Sequence, residues 1–137
     1  MPKVLAQFRD RGFIILAVPC NQFGQQEPAK NADIHAFAQS KGAGDILMLA
    51  KSTVNAPHCR SKRPRCGAGT DECCKSNNGV YKFLQSQLPG KVAWNFEKFL
   101  VGRDGKAIKR YPGSTAPLNL VADIEAALAA TVADREL

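Results

Sequence analysis

The chain has 137 residues, 45% of them hydrophobic, and a formal charge of +7 from 19 basic against 12 acidic residues. That length fits one domain and is enough to bury about two-thirds of the unfolded surface. No run approaches the ~18 apolar residues of a membrane-spanning helix, and the opening MPKVLAQFRDRG lacks the apolar stretch of a signal peptide.

Pro2 to Arg11 reads as a helix, with Val4, Leu5 and Phe8 at helical spacing and Gly12 as its stop. Phe13 to Val18 is a continuous apolar run, too short for a helix. It is expected to be a parallel strand covered on both faces and near the middle of a sheet. Helix followed by buried strand is the second half of a βαβ unit, so the strand expected ahead of the helix lies outside this sequence. Asn31 or Asp33 is placed to cap a helix through Ser40, with Ile34 and Phe37 turned inward. Asp45 to Val54 reads as a weaker strand and loop.

Residues 57–79 have no periodicity and are rich in Cys, Pro, Gly and basic side chains, which marks a loop or insertion. Arg60, Lys62, Arg63 and Arg65 concentrate the positive charge there. Without aromatic residues for base stacking, this is a solvated loop rather than a nucleic-acid reader. Cys59, Cys66, Cys73 and Cys74 have C-x6-C-x6-C-C spacing, unlike the paired C-x2-C of common zinc sites. Disulfide, metal and free-thiol readings stay open for them.

Val80 to Leu88 is a short helix with Val80, Phe83, Leu84 and Leu88 on one face, stopped by Pro89-Gly90. Phe96 to Val101 and Lys106 to Tyr111 are strands joined by the turn GRDG. Pro117 to Val132 is an amphipathic helix with Leu120, Val121, Ile124 and Leu128 on its inner stripe. The order predicts an α/β fold with a mixed sheet. Its strand-hairpin-strand-helix ending suits a thioredoxin-like sandwich.

In open α/β sheets, sites form beyond the C-terminal ends of parallel strands. The loop after Val18 holds Cys20, Asn21 and Gln22; far along the chain, Trp94 and Asn95 precede the hairpin. Gln22, Trp94 and Asn95 each carry an uncharged N–H donor. Such donors suit an anion: they stabilise a thiolate or selenolate, or the charge that develops as a peroxide O–O bond breaks. The bland alternative is a core tryptophan followed by a turn asparagine.

The stretches GFIILAVPCNQFGQQEP and WNFEKFLVGRDGKAIKRY resemble two signature blocks of the glutathione peroxidase family. DIHAFAQSKG, Val54-Asn55 and VYKFLQSQLPG fall in the same order. The resemblance implies a thioredoxin-fold peroxidase of hydrogen peroxide or organic and lipid hydroperoxides. It also implies a site without a bound cofactor or metal, with glutathione or thioredoxin as the reducing co-substrate. Gln22, Trp94 and Asn95 match the residues that hydrogen-bond the family's nucleophilic Cys or selenocysteine.

That nucleophile belongs to a strand and turn expected ahead of Met1; Cys20 matches a different family position. Loss of the strand would leave this chain inactive by itself, with marginal stability or a tendency to aggregate. Ala38 stands where thioredoxin-dependent members carry a resolving Cys, leaving glutathione or the Cys73-Cys74 pair. Only Gly90 to Ala93 separates Leu-Pro from Trp-Asn, which implies a monomer with an open site and at most peripheral membrane contact. Of the arginines that recognise glutathione in some members, Arg110 is the counterpart here. Location defaults to the cytoplasm, and an organellar address would precede Met1. The competing function is an inactive thioredoxin-fold module that binds partners through the basic Cys-rich loop.

Overall fold

The computed structural model describes residues 1–55 and 77–130. Helix α1 spans Pro2–Phe8 and tightens into a 3-10 turn at Arg9–Arg11. Strand β1 is Leu16–Ala17, α2 is Asn31–Ser40 and β2 is Leu47–Met48. After residues 56–76 follow α3 (Gly79–Gln87), β3 (Lys98–Val101) and β4 (Ala107–Tyr111). A 3-10 turn at Pro117–Leu120 leads into α4 (Val121–Ala129). Helices and strands thus alternate in the expected order.

Strand β1 pairs parallel with β2, Leu16 opposite Leu47. Strands β3 and β4 pair antiparallel, with a bulge between Leu100 and Val101. The GRDG turn closes the hairpin through Gly102 N–H on the Lys106 carbonyl at 2.9 Å. Among the described residues these are two separate two-stranded sheets.

Two apolar clusters hold the elements. In the first, Val4 and Phe8 of α1 pack with Leu100, Tyr111, Leu120 and Ile124, and Phe13, Val121 and Leu128 close its margin. The inner stripe expected for α4 is therefore the one observed. The second cluster joins Phe23, Val54 and Val92, flanked by Val18, Cys20, Tyr81 and Phe99. It lies beneath the loops that carry the candidate site residues.

Three expectations need correction. The 13–18 run is parallel as expected but is not covered on both faces: Ile14 is 65% exposed, and Leu16 and Leu47 share that open side. The reason is layering, because α1 and α4 pack on the β3–β4 hairpin instead. Phe37 is 64% exposed rather than turned inward, and its ring lies under the Lys41 ammonium. Lys30, not Asn31 or Asp33, occupies the N-cap of α2. The side chain of Asn31 instead accepts the backbone N–H of Lys51 at 2.9 Å.

The Cys-rich stretch and its four cysteines lie outside the described residues, apart from the segment's end. There, Asn78 caps α3 by accepting the Val80 N–H at 2.8 Å, so the helix starts at Gly79.

Candidate functional site: two loops joined by side-chain amides

The loop after β1 turns back at Gln22, which is only 7% exposed. Its Oε1 accepts the backbone N–H groups of Val54 at 2.8 Å and Asn55 at 2.9 Å. Its Nε2 donates to the Asn55 carbonyl at 2.8 Å. The side-chain amide thus pairs with both backbone groups of one residue, as a neighbouring strand would. Two N–H groups directed at one atom identify that atom as oxygen, which fixes the amide's orientation.

Asn55 repeats the device one step further. Its Oδ1 accepts the Val92 N–H at 2.8 Å, and its Nδ2 donates to the Val92 carbonyl at 2.7 Å. Gln85 of α3 supports the same place by donating to the Val54 carbonyl at 3.0 Å. Two amide side chains therefore link the loop after β1, the segment after β2 and the segment ahead of β3.

The segment from Leu88 to Glu97 is held along its length. Arg110 on β4 donates through Nη1 to the carbonyls of Leu88, Pro89 and Gly90 at 3.3, 3.2 and 2.9 Å. Its Nη2 reaches the Lys91 carbonyl and its Nε the Glu97 carboxylate. The guanidinium also stacks over Phe99, 4.9 Å from the ring centre. Glu97, whose side chain is 6% exposed, uses its other oxygen to accept the Ala93 N–H at 2.8 Å. Arg110, matched above to a glutathione-recognising arginine, directs these donors to this loop.

Trp94 and Asn95 project from that held segment onto the 22–26 loop. The Trp94 ring lies 5.8 Å from the Phe23 ring, tilted by 57°. Gly24 has φ +64, a left-handed turn that favours glycine, and a Cβ there would sit in ordinary contact with the Trp94 ring at 3.4 Å. Asn95 Nδ2 donates to Gln26 Oε1 at 2.8 Å. Two non-glycine residues take left-handed backbone on either side of this contact, Gln25 at φ 54 and Phe96 at φ 60. Strain of this kind, of order 1–3 kcal/mol per residue, gathers at sites the surrounding structure over-determines. Gly113 completes the turn, because a Cβ on it would collide with the Asn95 carbonyl.

The structure thus brings the three sequence-predicted residues onto two touching loops. Gln22 faces inward, whereas Trp94 is 53% exposed. By hydrogen count, Gln22 and Asn95 each retain one amide N–H beyond the bonds just described. The Trp94 indole N–H makes no hydrogen bond among the described residues. Neutral N–H donors of this kind suit an anion rather than a cation.

Cys20 borders the site. Its Sγ lies 3.3 Å from Gln22 Oε1 and receives the Gln22 backbone N–H at 3.4 Å. Beside it, burial pushes the Tyr81 phenol up to about 12, with Cys20 and Glu97 adding to the shift. Every buried side-chain nitrogen or oxygen among the described residues has a partner. No cluster of metal-ligating side chains occurs among them, and no helix among them is long and apolar enough to cross a membrane.

Sequence reasoning noted Val54-Asn55 only as a matching dipeptide and gave Asn55 no part in the site. Its two-sided pairing has no local pattern; only a second amide placed to bind it, Gln22, marks it in retrospect. Glu97 lies within the expected 96–101 strand, and its pairing with Arg110 has no local signal either.

The family model described as glutathione peroxidase matches residues 1–61. The glutathione peroxidase-like peroxiredoxin gpx1 of Schizosaccharomyces pombe is 40% identical over 126 residues, covering 89% of this chain and 68% of that protein. A putative chloroplastic glutathione peroxidase 7 of Arabidopsis thaliana is 37% identical over 134 residues, covering 95% of this chain and 50% of the relative. The crystal structure of Trgpx in apo form superimposes with a TM-score of 0.59 at 28% identity, covering 93% of this chain and 67% of that one. The chain spans about half to two-thirds of the length of the curated relatives it matches. With both signature loops in contact and identity extending along nearly the whole chain, this protein belongs to the glutathione peroxidase family and has its thioredoxin-like α/β fold.

Proposed function

We propose that the chain forms the donor half of a thiol-dependent peroxidase that reduces hydrogen peroxide or organic and lipid hydroperoxides. Residues 1–137 make one domain in this reading, with 57–79 as an insertion. The observation that carries it is the contact between the Gln22 loop and the Trp94–Asn95 turn, which sets neutral N–H donors on two adjoining loops.

In this reading Gln22, Trp94 and Asn95 surround an anionic sulfur or selenium supplied from outside the described residues. Neutral donors hold the group ionised near neutral pH. The anion attacks one peroxide oxygen and the O–O bond breaks. The departing oxygen takes a proton and leaves as water or alcohol, while the chalcogen becomes a sulfenic or selenenic acid. Two thiols return it to the reduced form, becoming a disulfide and releasing water. Glutathione or thioredoxin is the reducing co-substrate, and no prosthetic group takes part. Since Arg110 is committed to the 88–91 carbonyls, recognition of glutathione falls to other residues. The protein acts as a monomer with at most peripheral membrane contact and does not bind nucleic acid. Relatives named chloroplastic make an organelle a location to test beside the cytoplasm.

The test is hydroperoxide consumption by the protein expressed from its own gene in its source cells, with each reductant in turn. Turnover that falls about 100-fold or more in Trp94→Phe and Asn95→Ala, on the scale of losing one anion-stabilising donor, supports the proposal. Turnover indifferent to both overturns it. The rival reading as an inactive binding module depends on residues 57–79, nearly all outside the described residues.

A further inference from the structure

We propose that Asn55 is a positioning residue that sets the register between Gln22 and the Trp94–Asn95 turn. Its backbone is clasped by the Gln22 amide, and its own amide clasps the backbone of Val92, two residues before Trp94. The two clasps run in series through one residue. Displacement of either loop therefore has to break or bend a paired hydrogen bond, and the partners are buried: Val54, Gln22 and Val92 all lie beneath the surface. Gln22 and Trp94 lie 72 positions apart in sequence. Arg110 grips 88–91 and Glu97 grips Ala93, while the two loops also meet at their exposed tips through Asn95–Gln26 and Trp94–Phe23. Asn55 joins the two loops at their base by paired bonds on both sides, its backbone to Gln22 and its side chain to Val92. As a consequence for chemistry, which rests on the donor-shell reading above, Asn55 would fix the relative placement of donors without touching the reacting atoms.

The test uses Asn55→Asp in the 137-residue protein, read by fluorescence of Trp94, the single tryptophan. A protonated aspartic acid has the donor and acceptor pattern of asparagine, with its O–H reaching the Val92 carbonyl and its C=O accepting the Val92 N–H. An ionised carboxylate keeps only the acceptor and faces the Val92 carbonyl oxygen with a negative charge. The variant is therefore expected to match the wild-type Trp94 emission at low pH. It should shift to a more quencher-accessible indole as the carboxyl ionises, while the wild type stays flat over the same range. Asn55→Leu, which never restores the pairing, should show the exposed signal at every pH. If Asn55→Asp unfolds at neutral pH, recovery of the native Trp94 signal on acidification still supports the inference. A Trp94 signal in Asn55→Asp and Asn55→Leu that follows the wild type at all pH values overturns it.

In the protein showing turnover, Asn55→Asp should reduce kcat/KM for hydroperoxide about 10- to 100-fold, the scale of a small misplacement of reacting groups. The ratio to wild type should recover toward acid pH. Absence of turnover in the wild type would remove the peroxidase reading and leave the Trp94 result standing. Turnover with an unresponsive Trp94 would remove the positioning role alone.

Discussion

Arg110→Met is the sharpest test of how the Trp94–Asn95 turn is held. The guanidinium bridges the Glu97 carboxylate and four consecutive backbone carbonyls, Leu88 to Lys91. Methionine keeps most of the side chain's length and its packing on Phe99 but supplies no donor. The Glu97 side chain, 6% exposed, is then left as a carboxylate with one remaining backbone donor, the Ala93 N–H. Removing one partner of a buried pair typically costs about 3–5 kcal/mol, chiefly because the other charge is stranded. The carbonyls are more exposed and regain water, so they add little. Against a whole-domain margin of ~5–15 kcal/mol, that is enough to unfold part of the population. Urea denaturation followed by Trp94 emission measures it: with a slope of ~2 kcal/mol/M, the midpoint should drop by about 1.5–2.5 M. Adding Glu97→Gln to Arg110→Met removes the stranded charge and should recover a large part of the loss. Arg110→Lys should fall between, since one ammonium cannot span the carbonyl row. A loss below about 1 kcal/mol in Arg110→Met, or a double variant at the sum of its singles, would refute the argument that a desolvated charge pair anchors this loop.

Other consequences are as direct. Gly113→Ala places a methyl against the Asn95 carbonyl, so the turn must move; we expect lost Trp94 quenching by its neighbours with little change in helix content by circular dichroism. Phe8 is 1% exposed and meets Phe13 edge to face at 6.0 Å, so Phe8→Ala should cost about 3–5 kcal/mol in the same denaturation assay. Both tyrosines of the chain have raised phenol pKa values: Tyr81 by burial first, to about 12, and Tyr111 by burial and its bond to Asp123. A raised folded-state pKa stabilises fully below the ordinary value near 10 and loses that contribution as pH climbs through the folded value. Phenolate absorbance should therefore lag behind that of free tyrosine above pH 10 and rise together with unfolding. Asp123 behaves oppositely: the Tyr111 hydroxyl, then Lys109, hold its carboxyl below the usual range. Its contribution is present above the ordinary carboxylate pKa and fades as pH falls through the depressed one, so Asp123→Asn should flatten stability on the acid side.

The sequence alone determined whatever short-range periodicity and turn chemistry encode. Helix α1 with its stop at Gly12, the GRDG hairpin and the inner stripe of α4 were all legible, because each depends on neighbours a few positions away. The resemblance in the PCNQF and WNF blocks also brought Gln22, Trp94 and Asn95 forward together. Tertiary structure decided what those residues do to one another. Gln22 turns its amide into the backbone of Asn55, 33 positions on, and Asn55 does the same to Val92, 37 further. Arg110 on β4 clasps the carbonyls of residues 88–91, some twenty positions earlier in the chain. Ile14 and Phe37 look like core in a hydrophobic pattern yet stand in the open, since burial needs a covering layer and not only an apolar side chain. An amide or guanidinium carries no preference for a particular distant partner in its local sequence; the pairing exists only once the fold has removed the water that would otherwise compete for it.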